Sequence, residues 1–191
     1  KVRQGNGRNI PITRAVFSFI AQMLALVSIP FFFQRILHLN EVETGLMLTP
    51  WPLAAMIAAP VAGRLMDRFN AGLLGGIGLV IFGVALFLLA VMPAHPSHID
   101  IIWRMFLGGI GFGLFITPNN STIIASAPRE RSGGASGMLG MARLLGQTVG
   151  AAFVAVIFAM LPTKGMRYCL IFGAIIAIVS AVISSLRLRR K

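Results

Sequence analysis

The stretch PVAGRLMDRFNAGLLGG, Pro60–Gly76, decides how the chain is read. Its flanks are apolar, yet Arg64, Asp67 and Arg68 fall within five residues, and the segment that follows, Ala71–Met92, carries no charge. Charges placed this way mark a short polar turn between two segments too apolar to sit in water. The composition agrees. Of 191 residues, 57% are apolar and 12% charged, where a soluble domain is about half apolar and a quarter charged. The mean hydropathy is +0.85.

The charges that remain are lopsided, 17 Lys and Arg against 5 Asp and Glu, a net +12. The basic residues punctuate apolar runs and form no patch among aromatics, so nucleic acid is not an expected partner. Cys169 stands alone, which excludes an intrachain disulfide and a multi-thiolate metal site. No metal cluster, phosphate loop or dinucleotide fingerprint occurs, so neither a cofactor nor enzyme chemistry is expected. The chain opens at Lys1 with no initiator methionine or signal-peptide pattern and reads as part of something longer.

A helix needs about 20 apolar residues to cross the hydrocarbon layer. Six segments qualify: Ala15–Phe33, Thr44–Gly63, Ala71–Met92, Ile101–Ser126, Gly133–Leu161 and Tyr168–Leu186. The expected organisation is a cytoplasmic linker over 1–13, a six-helix transmembrane unit over 14–186 and a basic cytoplasmic tail over 187–191. Basic residues accumulate on the cytoplasmic side of membrane proteins. With the amino terminus inside, that side holds Lys1, Arg3, Arg8, Arg14, Arg64, Arg68, Arg129, Arg131, Arg187, Arg189, Arg190 and Lys191. The opposite side holds only Arg35, Lys164 and Arg167. Both termini are therefore expected in the cytoplasm, with Arg64, Asp67 and Arg68 in the hairpin between spans two and three. Arg64 alone is expected to serve topology there, but Asp67 contributes little to it and needs another reason.

These residues carry a resemblance. GRLMDR, Gly63–Arg68, resembles the cytoplasmic-loop signature of the major facilitator superfamily, G-x-L-x-D-R-x-G-R-K, with Gly63, Leu65, Asp67 and Arg68 in register. Asn70 replaces the next glycine and is expected to take the left-handed conformation of a tight turn. Ala71 and Gly72 replace the basic pair. RMFLGGIGFG, Arg104–Gly113, resembles the family's R-x-x-x-G-x-G motif, and PRERSGGASGMLGMARLLGQTVG, Pro128–Gly150, resembles its P-x-x-x-R-G-x-A-x-G loop and following helix.

The closer resemblance is to the carboxy-terminal six helices of the fourteen-helix drug:proton antiporters, the quaternary-ammonium and methyl viologen exporters. It implies an all-α, polytopic transmembrane six-helix bundle, one half of a major-facilitator fold, in a bacterial inner membrane. It also implies a missing amino-terminal half and proton-coupled efflux of a small cationic or lipophilic substrate. Two other readings stay open: a half-size transporter working as a homodimer, and a non-transporting membrane assembly protein.

The candidate site residues follow from polarity inside the spans. Arg104, Gly108, Gly111, Phe115, Pro118 and Thr122 share one face of span four. Arg104 is open to two readings, a pathway charge or an interfacial arginine that snorkels. Pro118 frees a backbone carbonyl, and Asn119 and Asn120 add amides beside that break. On span five Arg143 lies about 15 Å in from Gly133 at the helical rise and, with Gln147, is expected to face a cavity or an interface. Gly146 and Gly150 are expected to pack against the missing half. Spans one and two offer Gln22, Met23, Phe31–Phe33, Met47, Trp51 and Met56, a lining suited to lipophilic cations. The pair Pro50 and Pro52 is expected to distort span two near a cavity. Spans three and six, nearly free of polar side chains, are expected to face lipid on most sides. Asp67 is expected to pair with Arg131 or to cap a helix. No acid lies in the middle of a span, so a titrating carboxylate is expected only on the missing half.

Overall fold

The computed structural model describes the backbone of residues 5–93, 96–125, 132–162 and 164–188, and side chains over 12–93, 96–125, 133–162 and 164–182. Seven helices fill these residues: α1 (Gly5–Arg35), α2 (Glu41–Leu48), α3 (Pro50–Leu65), α4 (Ala71–Ala90), α5 (His98–Ala125), α6 (Ser132–Met160) and α7 (Gly165–Leu188). No strand occurs among the described residues. Six spans are long and apolar enough to cross a bilayer, with α2 and α3 together forming the second.

The second span is broken because its sequence cannot complete the helical ladder. Pro50 and Pro52 bring no N–H, so the carbonyls of Leu46 and Leu48 lose their usual donors four residues on. Thr49 fills part of the gap: its N–H reaches the Gly45 carbonyl at 3.1 Å and the Leu46 carbonyl at 3.3 Å. Its hydroxyl also donates to the Gly45 carbonyl at 2.8 Å. Upstream, α2 starts in a capping box, where Asn40 Oδ1 accepts from the Glu43 N–H at 2.8 Å and Glu43 Oε2 from the Asn40 N–H at 3.0 Å. The one left-handed non-glycine among the described residues is His38, with φ 54°, in the turn that ends α1.

Asn70 departs from the sequence expectation. Its φ of −62° and ψ of 127° are extended, not left-handed, and its Oδ1 accepts from the Gly72 N–H at 2.8 Å. It is the N-cap of α4, a role asparagine fills as well as it fills a turn.

The helices pack as α3 on α5, α5 on α4, α4 on α7, α7 on α1, and α1 on α6. Exchanging spans one, two and three for four, five and six maps α4 on α7 onto itself and the other four packings onto one another, the signature of an internal repeat. Directions obey the same rule. Gly146 and Gly150 of α6 meet Val16 and Ile20 of α1, while Gly109 and Gly113 of α5 meet Trp51 and Ala55 of α3, so each pair runs parallel. The α4–α5 pair is antiparallel: Gly78 lies against Phe115, and Gly111 against Phe82.

Spans three and six, expected to face lipid, also pack closely against their neighbours. Within this bundle α4 and α7 bury 56% and 50% of their apolar windows, against 22% for the second span and for α6. Gly75 and Gly78 bring α4 close to α5, and Gly83 brings it against Ala174 and Ile178 of α7. An apolar helix without charge suits an interior and a lipid surface equally, so its composition does not separate the two.

Candidate functional site

A cavity of about 340 Å³ lies between α1, the α2–α3 junction and α5. Gln22 and Leu48 line it, together with Thr49, Trp51, Pro52 and Met105. Gln22 lies ten residues into the first span, about 15 Å along its axis. This depth and the proline break coincide, so a partly buried amide and a threonine stand beside an otherwise apolar wall. A membrane interior permits such polar and irregular backbone groups only where they face protein or a cavity.

Trp51 fixes one wall of the groove and is itself fixed. It is 7% exposed, and its ring sits on Gly108, where an added Cβ would lie 2.9 Å from the ring. It meets Phe82 edge-on at 5.6 Å and 87°. Gly108 and Gly111 thus act on different neighbours: Gly108 makes room for the indole, and Gly111 for the α4 backbone at Phe82. The sequence reading overlooked Gly109, whose Cβ would fall 2.2 Å from the Trp51 carbonyl oxygen, and Gly113, whose Cβ would fall 2.9 Å from that of Ala55. Their four-residue spacing was a usable signal. It also missed Met105 and Thr49, which only the fold brings to Gln22, and Arg14, whose guanidinium lies 5.9 Å over Phe115.

The other candidates lie apart from this groove. Arg104 sits in the second turn of α5. There its Nη1 is 3.2 Å from Asp100 Oδ1 and donates to the Asp100 carbonyl at 3.3 Å, with the guanidinium 4.9 Å over Trp103. Pro118 is buried against α4, where Gly75 approaches it. Asn119 is 4% exposed, and both ends of its amide lack a hydrogen-bond partner, as does Asn120 Oδ1. Thr117 and Thr122 turn their hydroxyls back to the Gly113 and Pro118 carbonyls. The remaining methionines and aromatics scatter: Phe33 is in the core, Met23 packs by Gly150, and Met56 is 65% exposed.

On α6 the stripe Gly133, Ser136, Gly140, Arg143, Gln147, Gly150 does not stay on one face. Its mean step of 3.4 residues falls short of the helical 3.6, so it turns by about 100° over its length. Gly133 and Gly140 consequently face open space, while Gly150 is buried. Gly146 and Gly150 correct the expected partner: a Cβ at Gly146 would lie 2.7 Å from the Val16 carbonyl oxygen, and at Gly150 3.0 Å from that of Ile20. They seat α6 on α1 of this same bundle. Arg143 is exposed, with its guanidinium 5.8 Å over Phe19, and Gln147 beside it is half-buried.

In the hairpin, Asp67 and Arg68 are exposed, Leu65 is half-buried, and a Cβ added at Gly63 would meet nothing within 4 Å. The Asp67 N–H donates to the Arg64 carbonyl at 3.3 Å. Arg131, its expected partner, lies outside the described residues, as does Arg129. Asn70 has taken the helix-capping role that Asp67 was the alternative candidate for.

A polytopic bundle built from an internal repeat, with a polar-edged groove at a broken helix, has the form of a membrane transporter unit and not of an enzyme. The chain belongs to the Major Facilitator Superfamily, which its residues 14–191 match. It is 57% identical over 180 residues to the uncharacterized transporter YebQ of Escherichia coli, covering 94% of this chain and 39% of that protein. The riboflavin transporter RibZ of Clostridioides difficile is 28% identical over 80% of this chain and 34% of its own length. The multidrug resistance protein Stp of Mycobacterium tuberculosis is 30% identical over 75% of this chain and 26% of its own length. The chain therefore spans about two-fifths or less of the relatives it matches.

Proposed function

We propose that the chain is the carboxy-terminal half of a proton-coupled exporter of small cationic or amphipathic drugs, with both termini in the cytoplasm of a bacterial inner membrane. The observation that carries the reading is the groove at the Thr49–Pro52 junction, which Gln22 and Trp51 both line, each about ten residues into its span. Transport follows from rocking of this bundle against an amino-terminal half, so that the groove opens to each side in turn. The five acids are Glu41, Glu43, Asp67, Asp100 and Glu130. None lies at midspan, so the proton-binding carboxylate is assigned to the other half. Gln22, Trp51, Arg143 and Gln147 remain the proposed pathway residues, with Asp67 and Arg131 as a conformational latch.

The test replaces the matching segment of the E. coli relative with these residues and follows ethidium efflux and the pH gradient in inverted vesicles. The joined protein is expected to export ethidium and dissipate the gradient, and the 191 residues alone to do neither. Export by the chain alone would support the homodimer. An inserted but inert joined protein would support the assembly reading.

A further inference from the structure

Three basic residues stand on the side that the charge rule disfavours, Arg35, Lys164 and Arg167, and they fall at the end of α1 and the start of α7, which border one cavity. Arg35 ends α1, while Lys164 and Arg167 bracket the start of α7. A second cavity, about 250 Å³, opens at this corner between the ends of α1 and α6 and the start of α7. Phe31, Phe32, Phe158, Pro162 and Met166 make its apolar walls, and Arg35 contributes the charge. The Arg35 guanidinium lies 5.8 Å over the Phe31 ring, and Phe31 meets Phe158 at 5.4 Å. Lys164 and Arg167, both exposed, adjoin the lining residues Pro162 and Met166 in sequence, and the half-exposed Tyr168 follows. No carboxylate lines the cavity. Of the acids on this side, Asp100 is held by Arg104, Glu43 is in the α2 capping box, and Glu41 opens α2.

A cation on this side works against the charge bias that orients the chain, and three together, beside an aromatic cleft at span-end depth, call for a counter-charge with an apolar body. We infer that this corner is a binding site for an anionic phospholipid of the leaflet opposite the chain's termini. The phosphodiester sits among Arg35, Lys164 and Arg167, and one acyl chain lies in the cleft between Phe31 and Phe158. Charge complementarity selects a lipid of net negative charge over a zwitterionic one, because a choline headgroup would return a positive charge to a site that already holds three. The inference is independent of the substrate groove, which lies near midspan on another side of α1.

Native mass spectrometry of the purified chain, released from micelles containing phosphatidylglycerol and phosphatidylcholine of equal chain length, tests it. The chain is expected to retain one phosphatidylglycerol in preference to phosphatidylcholine. The preference should fall about five-fold for each cation removed, and on the order of 100-fold in Arg35→Gln/Lys164→Gln/Arg167→Gln. Arg64→Gln/Arg68→Gln, on the other side, should leave it unchanged. Equal retention of both lipids, or an undiminished preference in the triple variant, overturns the inference. Arg35→Gln alone and Arg35→Lys give the same reading should the triple variant not fold: the first must weaken the preference and the second must keep most of it.

Discussion

Gly109 offers the sharpest test of the packing that builds the groove. Its replacement by alanine would set a methyl 2.2 Å from the Trp51 carbonyl oxygen and 2.7 Å from Ala54 Cβ. Ordinary contact starts at 3.4 Å, so α3 and α5 must part by about 1 Å, and both obstacles are too rigid to turn aside. Overpacking of this kind costs about 1–3 kcal/mol. Removing a glycine from a helix interior returns about 1 kcal/mol, leaving a net loss of about 0–2 kcal/mol. Gly137 on α6 is the control, because an added Cβ there meets nothing within 4 Å. Gly137→Ala should therefore gain up to about 1 kcal/mol. Unfolding of the purified chain by sodium dodecyl sulfate in mixed micelles, followed by circular dichroism, should separate the two variants by about 1–3 kcal/mol. If Gly109→Ala unfolds no more easily than Gly137→Ala, the α3–α5 approach described here is wrong, and so is the wall that Trp51 gives the groove.

Three further outcomes are expected. Cysteines introduced at Asn6 and Ser97 should label from the cytoplasmic and outer faces respectively, with Cys169 silent because it is fully buried; reversed labelling would invert the topology. Arg143→Leu should abolish ethidium efflux by the joined transporter at unchanged membrane abundance, and unaltered efflux would make the arginine a packing residue over Phe19. Asp67→Asn should slow efflux several-fold, and Asp67→Arg with Arg131→Asp should restore part of it. A charge swap that restores nothing, beside an inactive Asp67→Asn, would dismiss the pair.

The spans were legible because each is a long apolar run closed by Pro, Gly or charge, as Gly63–Asn70 shows between α3 and α4. The interruption of the second span was legible for the same local reason, since two prolines in one turn remove two donors from the helical ladder. Partners were harder to read. Gly146 and Gly150 announced a close helix contact but not which helix, because a small-residue spacing is the same whatever lies against it. Only the fold shows that Val16 and Ile20 fill that place. The groove was half legible: Gln22 and Trp51 stood out as polar or bulky residues, whereas Met105 and Leu48 look like any apolar residue of a span. Asn70 was misread because its side chain serves a turn and a helix cap equally well, and the choice depended on the free N–H of Gly72.

The central claim, that the groove at the Thr49–Pro52 break holds the transported compound, is tested most directly by protection of a cysteine placed in it. In the joined transporter, Gln22→Cys should react with a membrane-permeant maleimide, and saturating ethidium should slow that reaction several-fold. Met160→Cys, at an exposed position away from the groove, should react at the same rate with or without ethidium. Equal rates at Gln22→Cys in the presence and absence of ethidium, in a protein that still exports it, would contradict the account.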